Sequence, residues 1–429
     1  MRIAFYTLGC KVNQYETQAL EQLMTGRGHT LVPFEGEADA YVINTCSVTA
    51  VSDKKSRQVI RRARKAAPDA VIAVCGCYSQ THPKDMEELS VDLVSGTGDR
   101  AGFAQLLEKA WQERQPVTVL DDAMKRRSFE MLPAGGLEGR TRAMLKVEDG
   151  CVNFCTYCII PYARGPIRSL PLNRAAEQAA QLAAEGYREL VLTGIEISSW
   201  GHELRDGTSL IDLIERVCTA APGCRIRLGS LEPRTITGEF CRRAAALDNL
   251  CPHFHLSMQS GCDAVLKRMN RKYDTRRYYE SVSLLREHFH VPAITTDLIV
   301  GFPGETEEEF LQTLAFIQKC AFSAMHIFPY SKRPGTPAAK LPGQVPKAVK
   351  EERARRAAEA AQSMERAYLE GWTGQTLPVL FEEEREGRCR GHTTRYTQVS
   401  VPGGANLHNR VRDVKITGVE GATLTGVLA

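Results

Sequence analysis

From Thr141 onward the chain repeats one pattern six times: a short run rich in apolar and β-branched residues, then a polar, helix-forming stretch. The runs are RAMLKVEDG, ELVLTGIE, RIRLGSLEP, HFHLSMQSG, ITTDLIVGF and SAMHIFPYS. Strands separated by helices pair in parallel, because each helix returns the chain to the same edge. Residues 141–368 are therefore expected to form a partial (β/α)6 TIM-like barrel with its chemistry at the strand C-termini.

The same alternation occurs on a smaller scale in residues 1–112, where IAFYTLG, AYVINTC, AVIAVCGC and LVSGTG read as strands of an open α/β sheet. Three of them end on cysteine, at Cys10, Cys46 and the pair Cys75/Cys77. Open α/β sheets bind ligands beyond the carboxyl ends of their strands, so these thiols are expected to converge. Residues 113–140 read as a linker with a turn at Pro133–Gly136, and residues 346–370 as a charged, alanine-rich bridging helix. Residues 369–429 change character. TLPVLFEEE, TQVSVPG, VRDVKITGVEG and ATLTGVLA suggest a small antiparallel β-barrel. The fold class is α/β with this all-β appendage.

No apolar run approaches the ~20 residues that span a bilayer. The N-terminus reaches polar residues too early for a secretion signal, so the expectation is a cytoplasmic enzyme without membrane contact. Fourteen cysteines in a reducing compartment point to thiolate ligation wherever they cluster. The scattered ones, Cys218, Cys224, Cys241, Cys251, Cys262, Cys320 and Cys389, read as small buried hydrophobes. A formal charge of +4 does not by itself argue for nucleic acid, but residues 54–65 carry seven Lys or Arg on a helix. That face is either solvated or meets a polyanion. The glycines of Gly96–Gly102 lack the dinucleotide-binding pattern.

The segment DGCVNFCTYCIIPYARG follows directly on the first barrel strand and spaces Cys151, Cys155 and Cys158 as Cys-x3-Cys-x2-Cys. Structural zinc and ferredoxin clusters each take four protein ligands. Three thiolates instead leave one iron of a 4Fe–4S cubane open to a chelating substrate. S-adenosylmethionine chelates through its amino and carboxylate groups, and its one-electron cleavage yields a 5′-deoxyadenosyl radical while the protein orients it. Tyr157 is placed to pack on the adenine. On these residues the chain resembles the radical S-adenosylmethionine superfamily. The resemblance implies that Gly194 in LTGIE offers backbone groups to the methionyl amine. It also implies that Ser230 and Glu232 of RLGSLEP and Gln259 of HLSMQSG reach the ribose or carboxylate; each is equally readable as a core or turn residue.

Cys10, Cys46 and Cys77, set before such a barrel, look like ligands of a second 4Fe–4S cluster whose open iron takes sulfur. Cys75 competes for the third position, and the Tyr-Ser-Gln after Cys77 favours Cys77. The whole chain resembles the radical S-adenosylmethionine methylthiotransferases: cluster domain, radical barrel and C-terminal TRAM domain. TLGCKVNQYE, YVINTCSVT, HLSMQSGCDAVLKRMNRKY and MHIFPYSKRPGTPAA are similar to the branch acting on carbon-2 of N6-threonylcarbamoyladenosine at tRNA position 37. Cys262 stands where that branch usually has serine.

The resemblance implies that one S-adenosylmethionine methylates a sulfur at the first cluster and a second is cleaved at the barrel. The two open irons must then face one cavity. Partners implied are a tRNA anticodon loop and an electron donor such as flavodoxin or ferredoxin. Asp297, mid-strand, either binds the base or threonyl group or makes a structural hydrogen bond. His253 and His255 share one strand face and read as core or cavity lining ahead of metal ligands. Arg164 and Arg168 reach either S-adenosylmethionine or RNA. Arg388, Arg390, Arg395 and Tyr396 give the last domain a basic, aromatic edge suited to RNA. Rival readings are the same chemistry on another tRNA adenosine or a ribosomal-protein side chain, and a non-catalytic iron–sulfur RNA-binding protein.

Overall fold

The structure is a computed structural model that describes residues 1–135, 140–404 and 406–429. Its first unit is a six-stranded parallel sheet, β1 (Arg2–Thr7), β2 (Thr30–Val32), β3 (Ala40–Thr45), β4 (Val71–Gly76), β5 (Leu93–Ser95) and β6 (Val117–Val119), in the order β2-β1-β3-β4-β5-β6. The segment expected as a linker therefore contributes the edge strand β6. The expected turn ends on Gly136, outside the described residues. Strand order reverses between β1 and β3, the switch point where open sheets gather ligands. Register keeps the strand ends level, with Thr7 opposite Asn44 and Thr45 opposite Gly76. Cys10, Cys46 and Cys77 thus leave the sheet on one edge.

Six parallel runs build the second unit: β7 (Arg142–Lys146), β10 (Glu189–Thr193), β11 (Arg225–Leu228) with β12 (Ser230–Leu231), β13 (His253–Leu256), β14 (Ala293–Val300) and β15 (Ala324–Pro329). A two-residue ribbon, β8 (Glu148–Asp149) with β9 (Arg168–Ser169), closes the loop after β7. The third run is split at Gly229, which leaves two sheets, β11-β10-β7 and β12-β13-β14-β15. Among the described residues β7 and β15 do not pair, so the barrel is partial and open on one side. Leucine, valine and isoleucine from the strands and from the inner faces of the surrounding helices fill one continuous core.

The C-terminal unit is a closed barrel of β16 (Thr376–Arg385), β17 (Arg388–Thr393), β18 (Gln398–Pro402), β20 (Thr423–Leu428) and β19 (Val411–Glu420). Two features differ from the expectation. RCRGHT is a strand in its own right, and closure comes from a parallel β18–β20 pairing. The long helix Lys347–Glu370 leads into it.

A buried ionic group joins the first two units. Helix α1 (Lys11–Gly26) packs Tyr15 and Ala19 into the barrel core, and the Tyr15 hydroxyl donates to Leu132 O at 3.0 Å. One residue on, Glu16 accepts from Arg100 Nη2 at 2.8 Å, from Lys146 Nζ at 3.0 Å and from Arg164. Burial alone would raise the Glu16 carboxyl; Arg164, Lys146 and Arg100 outweigh it and hold it well below the usual range. Removing one member of such a group strands the others without water. Glu16→Ala, which strands three cations, is expected to lower unfolding stability by about 3–5 kcal/mol, read by urea denaturation at neutral pH. The wild-type advantage over Glu16→Ala is held above the ordinary carboxylate range and lost as pH falls through the depressed folded value.

Candidate active site

Two glycines set the geometry of the first thiol group. Gly9 and Gly76, each directly before a cysteine, both sit at φ +104°. A Cβ on Gly76 would lie 2.4 Å from Thr45 O, and one on Gly9 would lie 2.8 Å from Cys46 Cβ. Only glycine lets these turns come so close. Cys77 then opens helix α3 (Cys77–Thr81), and Cys10 directly precedes α1. Cys75, the penultimate residue of β4, is fully buried and packs into the sheet core. Arg333, beyond β15, locks the Cys46 loop by donating to Asp53 at 2.5 Å and to Ser47 Oγ at 2.6 Å.

The second group follows β7. Gly150 at φ +91° turns the chain under Pro166 O, where a Cβ would lie 2.1 Å away. Backbone bonds from Thr156 N to Met269 O at 3.0 Å and from Ala338 N to Thr156 O at 2.8 Å fix the Cys151–Cys158 loop on the barrel mouth.

The donor set fits iron–sulfur chemistry. Thiolates on such clusters accept hydrogen bonds that tune them, and five of the six thiols already face a donor. Asn153 N donates to Cys151, Ile160 N to Cys158 and Arg164 to Cys77. Arg271 Nη1 lies 3.2 Å from Cys155 Sγ, and Val48 N lies 3.5 Å from Cys46 Sγ. Among the described residues no three Cys, His, Asp or Glu side chains stand close enough to share a single metal ion. A cubane spaces its thiolates more widely, each on its own iron. Burial pushes Cys77 and Cys158 up to about 12, so loading iron must displace their protons.

Arg164 and Arg168 reach neither solvent nor an open cavity. Arg164 joins Glu16, Asn13 Oδ1 at 2.8 Å and Cys77, while Arg168 pairs with Asp149 at 3.2 Å. Arg164 ties the first cysteine group to the loop of the second, and Arg168 braces that loop through Arg164 O, Pro166 O and Asp149.

A lumen of about 770 Å³ lies inside the partial barrel, lined among others by Cys10, Gly194, Ser230, His255, Asp297 and Tyr396. Cys10 from the sheet edge and Gly194 from the end of β10 thus share one space. Asp297 lies on the inner face of β14, 3.2 Å from His255 Nε2, and His255 Nδ1 meets Thr295 Oγ1 at 2.9 Å. Both histidines line the cavity, as expected. Lys11 projects into it with solvent still reaching the side chain; crowding by the surrounding protein and the repulsion of Arg227 and Arg142 bring its ammonium down to about 8, still largely protonated at neutral pH.

Glu232, Gln259 and Tyr157 lie outside that lining. Tyr157 packs edge-on against Phe302, centroids 6.5 Å apart. Gln259, at φ +69°, bridges strands through its backbone. The structure adds two carboxyls that sequence reading did not single out. Glu148 is fully buried, its Oε2 accepting from Glu196 N at 2.7 Å, and burial raises it well above the usual range. Burial, opposed by a hydrogen bond from the Ser199 hydroxyl, pushes Glu196 up to about 7. Glu148, Glu196 and Glu232 lie around the Gly194 turn, where an ionised carboxyl can accept an N–H from an amino group. The signal was LTGIE itself, whose glutamate follows the glycine by two.

The expected RNA edge divides. Arg388 donates to Ser400 Oγ at 2.6 Å within the small barrel. Arg395 donates to His290 O at 2.6 Å and Val291 O at 2.8 Å, joining that barrel to the larger one. Tyr396 lies under Arg227 at 3.8 Å and stacks on His392 at 4.6 Å. Arg388 and Arg395 are thus engaged within and between the barrels, while Tyr396 remains 38% exposed. Arg390 is half-buried on β17. Lys54, Lys55, Arg61 and Lys65 stand exposed on helix α2 (Ala50–Ala66).

Residues 145–317 match the radical SAM superfamily, and residues 2–96 match an uncharacterised protein family, UPF0004. The chain is 43% identical over 421 residues to the threonylcarbamoyladenosine tRNA methylthiotransferase MtaB of Bacillus subtilis (strain 168), covering 96% of this chain and 93% of that one. It is 37% identical to the protein of the same name from Aquifex aeolicus (strain VF5), over 90% of this chain and 93% of that one. It is 35% identical to the tRNA-2-methylthio-N(6)-dimethylallyladenosine synthase of Moorella thermoacetica, over 98% of this chain and 96% of that one. Among solved structures, the radical S-adenosylmethionine methyltransferase TsrM of Kitasatospora setae shares the fold. Its TM-score is 0.56 at 16% identity, over 79% of this chain and 76% of that one.

If the Glu196 carboxylate accepts from the methionyl amino group, S-adenosylmethionine should bind the reconstituted protein up to about tenfold more tightly at pH 8 than at pH 6, as the carboxyl ionises. Calorimetric titration of Glu196→Gln should show that pH dependence flattened.

Proposed function

The chain belongs to the tRNA methylthiotransferase family of radical S-adenosylmethionine enzymes, and from that premise we propose that it methylthiolates carbon-2 of N6-threonylcarbamoyladenosine at tRNA position 37. The observation that carries this reading is the single lumen lined by both Cys10 and the Gly194 turn. A methylthio group held on one side and a radical formed on the other can act on one base only if they open into one space. When bound, the cluster at Cys151, Cys155 and Cys158 supplies the electron that cleaves S-adenosylmethionine, and a second at Cys10, Cys46 and Cys77 offers an open iron to sulfur.

The chain's own residues do the rest. Arg271 and the backbone N–H groups of Asn153 and Ile160 hold the barrel thiols. Glu196 faces the methionyl amino group. Asp297 and His255 form a polar pair on the lumen wall, suited to the edge of a base. An anticodon loop suits the task, because its bases can leave the stack and enter a cavity of this size. Exposed lysines and arginines on α2, with Arg390, supply phosphate contacts, so binding should weaken with salt. A flavodoxin or ferredoxin is the matching class of one-electron donor. The many reduced thiols fit the cytoplasm, and no described helix is long and apolar enough to cross a membrane.

Two variants separate the halves of the site. Cys46→Ala should keep reductive cleavage of S-adenosylmethionine to 5′-deoxyadenosine yet form no methylthiolated nucleoside, with roughly half the iron. Cys151→Ala should lose both. Mass analysis of nucleosides from tRNA incubated with each reconstituted protein checks this, and a product on an adenosine lacking the threonylcarbamoyl group would overturn the substrate assignment.

A further inference from the structure

The lumen and a neighbouring cavity of about 1000 Å³ share four lining residues, Lys11, Gln14, Arg227 and Tyr396. These four form a neck between the two spaces. Lys11 and Gln14 lie three residues apart on α1, so their side chains share one helix face. Both are exposed in the neck, and neither side chain makes a hydrogen bond or ion pair among the described residues.

Arg227 is held from two sides. Its Nε donates to Glu189 at 2.9 Å, and the Tyr396 ring covers its guanidinium at 3.8 Å, which fixes the plane. Its terminal amino groups take no partner among the described residues. Glu189 is meanwhile shared with Arg142 at 2.9 Å and Arg225 at 2.6 Å, and Arg142 also reaches Glu382. At the neck Arg142, Arg225 and Arg227 share Glu189, Arg142 adds Glu382, and Lys11 has no ion-pair partner among the described residues. That is four cations to two already paired anions, with Glu21 and Glu383 farther along the neighbouring cavity and Asp297 and Glu365 along the lumen. Beside them His253, 7% exposed and lining the lumen, leaves Nδ1 without a hydrogen bond among the described residues. Buried polar atoms are ordinarily satisfied, and surplus positive charge inside low-dielectric walls concentrates anions.

We propose that Lys11 and Arg227, with His253 at their side, form the seat for the carboxylate carried on the N6 substituent of the substrate adenosine. This rests on the substrate reading above. The relatives' names supply two N6 groups, threonylcarbamoyl and dimethylallyl. The hydrocarbon would leave the cations and His253 unanswered; the threonyl carboxylate answers both. Lys11 directly follows Cys10, so an anion held there belongs to a molecule that reacts beside that thiol group. A methionyl carboxylate from S-adenosylmethionine has the same chemistry, and the test separates the two sources.

The experiment uses the iron- and sulfide-reconstituted full chain with two anticodon stem-loop RNAs. One bears N6-threonylcarbamoyladenosine, the other the same nucleoside with its carboxylate as a carboxamide. Wild type should prefer the carboxylate RNA in kcat/KM by roughly tenfold or more, chiefly through KM. Lys11→Met, with iron content and circular dichroism matching wild type, should bring that ratio near one, and Lys11→Arg should restore it. An unchanged ratio in Lys11→Met overturns the inference. A raised KM for S-adenosylmethionine with the ratio intact also overturns it and assigns Lys11 to the cofactor's carboxylate. Methylthiolation of neither RNA by wild type would overturn the substrate reading, and the inference with it.

Discussion

The relation between the first two units depends on one buried carboxylate. Glu16 lies on a helix of the first unit, yet two of its three cations, Lys146 and Arg164, belong to the second. Arg164 follows the radical-cluster cysteines by six residues and also reaches Cys77. The same guanidinium therefore touches the anchor and one thiol group while sitting at the foot of the other. An ion group without water is intolerant of misplacement, because any separation leaves a charge uncompensated. That intolerance suits two cysteine groups that must keep a fixed spacing across a domain boundary.

The second constraint is steric. Gly9 and Gly76 let two strand ends approach the Cys46 loop more closely than any side chain would permit. Arg333 then reaches from the far end of the barrel to clamp that loop through Asp53 and Ser47. One linkage is made early in the sequence and one late, so the sheet edge is held over the barrel mouth from both sides. The carboxyls around Gly194 and the lumen wall of β14 complete the enclosure.

Much of this was legible in the chain because it is periodic or local. Strand–helix alternation gave both α/β units, and the spacing of Cys151, Cys155 and Cys158 marked the barrel loop on one stretch of seventeen residues. The strand-end positions of Cys10, Cys46 and Cys77 pointed to one sheet edge. What was not legible depends on residues far apart in sequence. Arg164 and Arg168 read as ligand contacts because arginine is costly to bury; nothing local shows that Glu16, almost 150 residues from Arg164, lowers that cost there, and Arg168 is held by Asp149. Arg395 and Tyr396 look like an RNA edge for the same reason. Their partners, Val291, His290 and Arg227, lie on other strands and loops. The strand β17 escaped notice because Gly391 and three basic residues dilute its β character.

Tyr396 carries a consequence of a different kind. It belongs to the small C-terminal barrel but closes part of the wall around the lumen, between Arg227 of β11 and the chain leaving Cys10. The C-terminal barrel is thus not a detachable handle that could be exchanged between relatives as an independent module. A different barrel would bring a different wall to the reaction chamber. The tyrosine, its stacked histidine and the arginines that grip it can drift only in concert.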